Sequence, residues 1–344
     1  MELSDRLTGV LLGTALGDSL GLPAEGLSSA VILRRFGRVE RFHLLGSLGF
    51  VSDDTEQSAL VAQSLARHPD DPEACARAFR RSLLGWFLRL PWGVGLATVR
   101  ACLRIGLGFK VSGVASAGNG AAMRAAVVGV FFHDKPGERR TFGRSLALVT
   151  HTDPRAVEAA LFAAELAGLC ASAGPRDDRL ALAAKAMEVV EEPSLREALE
   201  RGLALAGRDL APAEAGKELG NSGYSVHTAA LAACCFVRYG AEPLGAVAAT
   251  IAAGGDTDTI AAIVGAWVGA LHGGAGLPLE IIGRIHDGPF GPSHLRKLGL
   301  CLAEVKAGGR PEVPGYCWPA AMARNLALYP VILGHGLRRL VPFP

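Results

Sequence analysis

Four glycines recur at every fourth position near the start of the chain, Gly9, Gly13, Gly17 and Gly21, within an apolar segment. Residues four apart lie on one helix face, so residues 5–20 read as a helix, with Ser4 as its N-cap. The glycines give that helix a stripe without side chains, which lets another helix approach closely. The helix ends at Gly21-Leu22-Pro23 and leaves Glu25 and Gly26 in a loop. Asp18, near that end, reads as a buried hydrogen-bonding acid.

The rest of the chain is consistent with helix packing on helix. Helix signals recur every 15–25 residues and convincing period-2 strands are missing. Half of the 344 residues are hydrophobic and 20% are charged, enough for a large core. Aromatic residues are scarce beside Ala, Gly and Leu, a composition suited to close helix packing. The expected architecture is all-α, a compact single-domain helical bundle over residues 1–300. A C-terminal extension over 301–344, containing Trp318 and Tyr329, is expected to pack on the same domain. A formal charge of +2 offers no broad field for nucleic acid or membrane. A membrane span needs about 20 apolar residues, and the longest candidate, Leu244 to Leu271, is split by an acidic run. Seven cysteines without CxxC spacing fit free thiols in a reducing cytoplasm. The adjacent Cys234 and Cys235 are assigned to the core.

The acidic run is Gly254-Gly255-Asp256-Thr257-Asp258-Thr259, followed at once by apolar residues from Ile260. Carboxylates two residues apart do not share a helix face. Asp256 and Asp258 therefore converge only in a turn that has not yet become helix, for which the glycines supply the dihedrals. Helix capping alone accounts for one such turn. A second, Ser52-Asp53-Asp54-Thr55, stands far upstream at the mouth of another helix that stops near Pro69. Asp53 and Glu56 have capping-box spacing, yet the doubled Asp53-Asp54 is surplus to a cap. Two such turns could supply opposite halves of one cage for a hard divalent cation.

Further signals are individually weak. The glycine-rich Ser112–Gly120 loop runs into an expected helix from Ala121 to Phe131, a setting suited to an anion. His151, in Thr150-His151-Thr152-Asp153-Pro154, precedes an Ala-rich helix in what reads as a polar setting. Helices near 179–190 and 194–206 look surface-lying.

Together the segments Gly13–Glu25, Ser52–Thr55, Gly118–Arg124, Thr150–Pro154, Gly223-Tyr224 and Gly254–Ile263 resemble the ADP-ribosylglycohydrolase family, which includes the dinitrogenase-reductase-activating glycohydrolases. They follow the family's order and span about residues 5–275. The resemblance implies an all-helical fold of the ADP-ribosylglycohydrolase type with two Mg²⁺ or Mn²⁺ ions in a cleft. Metal ligation falls by this resemblance to Ser52, Asp53, Asp54, Asp256, Asp258 and Thr259. Glu25 or Asp54 becomes the group that activates water. Gly118, Asn119 and Gly120 match the loop that holds ADP-ribose, with His151 contacting substrate and Tyr224 near the nucleotide. The implied substrate is an ADP-ribosylated protein or small ADP-ribosyl conjugate. A silent ADP-ribose-binding module, or a structural crystallin-like protein of the same fold, has no need of both complete acidic turns.

Overall fold

The computed structural model describes residues 1–340, and the last four residues of the 301–344 extension lie outside them. In chain order its helices are α1 (Leu3–Gly21), α2 (Ser29–Phe36), α3 (Asp53–Arg67), α4 (Pro72–Phe87), α5 (Leu96–Gly106), α6 (Ala126–Phe131), α7 (Pro136–Ala147) and α8 (Pro154–Ser172). There follow α9 (Arg179–Met187), α10 (Pro193–Ala206), α11 (Pro212–Leu219), α12 (Ser225–Tyr239), α13 (Pro243–Ala252), α14 (Thr257–His272), α15 (Leu279–Ile282), α16 (Pro292–Lys306) and α17 (Trp318–Leu340). The described residues form isolated bridges but no strand. The architecture is all-α, as the helical periodicity requires.

The partner of the glycine stripe is α14. A methyl group built on Gly9 would stand 2.2 Å from the Gly269 carbonyl oxygen. On Gly13 it would stand 2.0 Å from that of Gly265, on Gly17 2.0 Å from that of Ala261, and on Gly21 2.4 Å from that of Thr257. The two helices run antiparallel with their backbones in contact, and α14 answers with small residues at the same four-residue step. Both are buried along nearly their whole length. The last step of the ladder sets the end of α1 against the start of α14, where Thr257 Oγ1 donates to the Gly21 carbonyl at 2.9 Å.

Leu244–Leu271 is two helices, α13 and α14, divided by the acidic turn. Leu3–Ala24 is also long and apolar enough to cross a membrane, but nearly all of its apolar window is buried inside the fold. All seven cysteines are free, and Cys234 and Cys235 are in the core.

Several local expectations are corrected. Helix α1 begins at Leu3 with Glu2 as its cap residue, because the Ser4 hydroxyl bonds the Glu2 carboxylate at 3.3 Å instead of a backbone amide. The expected helix Ala121–Phe131 is shorter. Residues 119–121 form a 3₁₀ turn and regular helix begins only at Ala126. The Arg124 side chain between them is drawn to buried acceptors, which favours tight turns over a continuous helix. Helix α10 is amphipathic rather than surface-lying, since Leu195, Ala198, Leu199 and Gly202 are buried. The capping box at Asp53 and Glu56 does not form: Ser52 caps α3, while Glu56 turns to Trp86 and two arginines.

Gly13→Ala is expected to destabilise the fold by about 2–3 kcal/mol, because the clash is with backbone that cannot rotate away. Gly85→Ala, in α4 with nothing within 4 Å of the added methyl, should stabilise by about 0.5–1 kcal/mol. Urea denaturation of the two variants checks both signs.

Candidate active site

The two acidic turns meet. Ser52, in extended conformation, caps α3 and accepts from the Asp54 amide, so Asp53 and Asp54 occupy the first helical turn. Opposite, Gly254 and Gly255 take φ values of 76° and 80° and turn the chain into α14. That turn is clasped on both sides: Gly26 N–H donates to the Gly255 carbonyl at 2.7 Å, and Asp256 N–H donates to the Asn221 carbonyl at 2.7 Å. A side chain on Gly255 would collide with Asn221. Across the gap Thr259 Oγ1 donates to Asp54 Oδ2 at 3.4 Å, and Ser52 Oγ donates to the same oxygen at 3.1 Å.

Asp18 lies beneath both turns, fully buried. Its Oδ2 accepts from the Ser52 amide at 2.8 Å, the Thr55 amide at 3.2 Å and Thr55 Oγ1 at 2.5 Å. Burial raises its pKa to about 6 against these hydrogen bonds, which pull the other way. The residue is the buried supporting acid that its place at the end of α1 implies.

A cavity of about 550 Å³ opens over the turns, and Glu25, Asp53, Asp256, Asp258 and Thr259 form its floor. Its far wall is the 116–120 loop with His151, and Asn221, Ser222 and Gly223 close one side. Asn119 ties wall to floor, since Nδ2 donates to Asp256 Oδ2 at 2.7 Å and to Thr228 Oγ1 at 2.9 Å. Its amide donates to the Gly223 carbonyl at 3.0 Å. Asp54 is buried behind Asp53 and does not reach the cavity wall. Tyr224 does not line the cavity either; it stands behind Gly223, where its hydroxyl accepts from Arg155 at 3.3 Å.

His151 is buried, contrary to its polar sequence setting, yet one edge of its ring reaches the cavity. Arg124 Nη2 donates to Thr150 Oγ1 at 2.6 Å, and that hydroxyl lies 2.7 Å from His151 Nδ1. With Arg124 donating to it, the hydroxyl donates its hydrogen bond to Nδ1, which places the imidazole N–H on Nε2, facing Gly118 and Gly120. Burial first, then the Arg124 charge, depress the imidazole pKa to about 3. The ring is therefore a neutral donor at ordinary pH.

Burial is also the first cause that holds the carboxyls of Asp53, Asp54 and Asp258 well above the usual range. Their mutual repulsion, with Asp18, Glu25 and Asp256, adds to it. Asp54 Oδ1 is buried with no hydrogen-bond partner. Among the described residues no Lys or Arg lines the cavity. The carboxylates do not form a closed cage as they stand: among the described residues no group of three or more His, Cys, Asp or Glu is arranged to hold an ion. Asp54 is hydrogen-bonded by Ser52 and Thr259, and Asp256 by Asn119.

The sequence model of the ADP-ribosylglycohydrolase family matches residues 1–311. The chain belongs to this family. An ADP-ribosylhydrolase ARH3 of Xenopus tropicalis is 25% identical over 318 residues, 80% of this chain and 89% of its own. The ADP-ribosyl-[dinitrogen reductase] glycohydrolase of Rhodospirillum rubrum is 28% identical over 162 residues, 44% of this chain and 53% of its own. An uncharacterized protein of Archaeoglobus fulgidus is 30% identical over 292 residues, 78% of this chain and 88% of its own. A solved ADP-ribosylglycohydrolase-related protein complex superposes with a TM-score of 0.71 at 27% identity, covering 89% of this chain and 99% of that one. This ADP-ribosylglycohydrolase is accordingly a glycosidic-bond hydrolase that acts on ADP-ribosyl substrates.

Sequence reasoning gave no role to three residues that hold the site. Arg124, fully buried, donates to Gln57 Oε1 at 2.9 Å and to the Gly120 carbonyl as well as to Thr150. Gln57 Nε2 donates in turn to Asp53 Oδ2 at 3.1 Å. Thr228 receives Asn119 from α12. Only Arg124 left a signal, as the last residue of the Gly118–Arg124 motif.

For this ADP-ribosylglycohydrolase the His151 pKa has a consequence for stability. The folded value lies below the unfolded one, so the unfolded chain binds the proton first as pH falls. The contribution is full above about pH 6.5 and is lost toward about pH 3, at up to ~1.4 kcal/mol per pH unit. Urea unfolding at pH 7 and 5 should show wild type losing about 2 kcal/mol more than His151→Gln. Parallel losses in the two proteins would mean that the imidazole is not held neutral.

Proposed function

We propose that this glycohydrolase is a divalent-metal-dependent ADP-ribosylhydrolase, which frees ADP-ribose from a modified protein side chain or small conjugate. The observation that supports it is a cluster of largely buried carboxylates from two separate turns around one cavity, with no Lys or Arg on its walls among the described residues. Such a cluster costs stability unless positive charge arrives from solution. The donors are all carboxylate and hydroxyl oxygens, including the orphaned Asp54 Oδ1, a set that suits Mg²⁺ or Mn²⁺. Ser52, Asp53, Asp54, Asp256, Asp258 and Thr259 would hold two such ions. When bound, they supply Lewis-acid polarisation of ribose hydroxyls and acidify water.

The chain's own groups do the rest. Breaking the bond at the anomeric carbon builds positive charge on the ribose ring, and the acidic floor stabilises that charge. Glu25 reaches the cavity, whereas Asp54 is enclosed by Ser52 and Thr259. Glu25 is therefore the carboxylate that takes a proton from attacking water. Asn119 keeps Asp256 in one rotamer, and Gly118 and Gly120 keep the wall flat, since a methyl on Gly120 would stand 3.1 Å from the His151 ring. The Nε2 proton of His151 faces that wall and binds a ligand oxygen. Holding the remote nucleotide fixes the reacting carbon over the floor.

Release of ADP-ribose from defined ADP-ribosylated peptides should require Mg²⁺ or Mn²⁺ and stop on chelation. Asp256→Asn should lower turnover about 100-fold or more, and full turnover in that variant removes the metal reading. Glu25→Gln should lower kcat by roughly 10²–10⁴ while calorimetry finds Mn²⁺ affinity retained. Binding of ADP-ribose without turnover in the wild type would instead mark a binding module.

A further inference from the structure

The matched family region ends at residue 311, and α17 begins at Trp318. This last helix reaches the back of the site at two places. Arg324 donates through Nη2 to Glu56 Oε1, and its Nη1 bonds the Pro289 carbonyl at 3.0 Å. Glu56 lies in the same first turn of α3 as Asp53 and Asp54. Its other oxygen accepts from Trp86 Nε1 at 2.6 Å and from Arg89 Nη2 at 2.5 Å. Arg89 is itself fully buried over the rings of Phe290 and Tyr316, and Asn325 Nδ2 donates to the Arg89 carbonyl at 3.0 Å. One carboxylate neutralises one guanidinium. The second arginine thus brings surplus positive charge to the base of a turn whose other acids repel one another.

One turn further on, Leu328 joins Leu22, Phe50 and Trp92 in a small apolar cluster separate from the main core, with Tyr329 and Ile332 packed against it. Each of these partners begins a segment that reaches the site. Leu22 leads to Glu25, Phe50 leads to Ser52 and Asp53, and Trp92 leads to Gly93 on the cavity wall. A single helix therefore packs against three segments that reach the cavity, one of them the acidic turn at Ser52-Asp53.

We propose that Arg324 is a positioning residue for the hydrolysis. Through Glu56 it holds the first turn of α3 in the orientation that presents Asp53 and Asp54. Helix α17 is then part of the active-site frame and not an appendage. This rests on the metal-dependent reading above only for the part concerning ion affinity.

The test compares full-length wild type with Arg324→Met, Arg324→Lys and Gly202→Ala. The last is a remote control at which an added methyl would stand 2.6 Å from the Ala230 carbonyl oxygen. All are studied at a temperature where circular dichroism shows each folded. Arg324→Met should weaken calorimetric Mn²⁺ binding and lower kcat, each by about tenfold, with KM within about twofold. Arg324→Lys should recover part of both, and Gly202→Ala should lower Tm with neither changed. Wild-type kcat and Mn²⁺ affinity in Arg324→Met would overturn the proposal. So would an equal loss in Gly202→Ala, because the effect would then be general destabilisation. If wild type binds no Mn²⁺ and survives chelation, the metal reading fails, and the kcat of Arg324→Met alone decides the role of Arg324.

Discussion

Helices α1 and α14 touch backbone to backbone, and the geometry of the site descends from that contact. Ordinary helix pairs are held 8–10 Å apart by their side chains. Here Gly9, Gly13, Gly17 and Gly21 face Gly269, Gly265, Ala261 and Thr257, with no room for a methyl group at any step. Contact at this range sets the register as well as the distance, because one residue of slip would drive a side chain into a carbonyl. The register places the Thr257 turn beside Gly21, so that Asp18 and Glu25 from one helix end share a space with Asp256 and Asp258 from the other. Association of this kind gains little from hydrophobic area and depends instead on shape and close carbonyl contacts.

The site that results is a stability cost retained for chemistry. Asp18, Asp53, Asp54 and Asp258 are all buried, and burial raises the pKa of each. Repulsion among the acids adds to it at Asp53, Asp54 and Asp258, and Asp54 keeps an oxygen with no donor. The surrounding structure offsets part of the cost. Asp18 accepts three hydrogen bonds from the Ser52 turn. The side-chain Nδ2 of Asn119 donates to Asp256, and Gln57, itself held by Arg124, donates to Asp53. These contacts join the end of α1, the start of α3, the 119–124 segment and the turn before α14, which makes the rigidity of the acidic floor a property of several elements of the bundle. On the far side of the α3 turn the charge balance is reversed, with two arginines on Glu56.

Much of this was legible in the chain. Residues such as Ser52, Asp53 and Asp256 announce themselves because local rules explain only some of them: one acid caps a helix, and the surplus acids demand another reason. The glycine stripe announced a close helix contact in the same way. What stayed illegible was long-range. His151 reads as a polar, non-core position because its neighbours in sequence are polar, while its burial comes from Arg124, Thr150 and the Val114–Gly120 segment. The break at residues 121–125 lies within a run of good helix formers and arises from side-chain partners on other elements. The partners of Glu56 are about 30 and 268 residues away.

By itself the sequence determined the helical periods, the turns that glycine permits, the oxygen-rich character of the two acidic corners and the existence of a contact surface on α1. These follow from spacing of a few residues, the range over which local sterics and capping act. Only the tertiary structure decided that α14 is the partner of α1, that Glu25 rather than Asp54 faces the cavity, and that α17 closes the back of the α3 turn. Those outcomes depend on which buried surfaces find each other. That is fixed by packing of the complete bundle, where a missing methyl group or a distant arginine carries as much weight as the motif it serves.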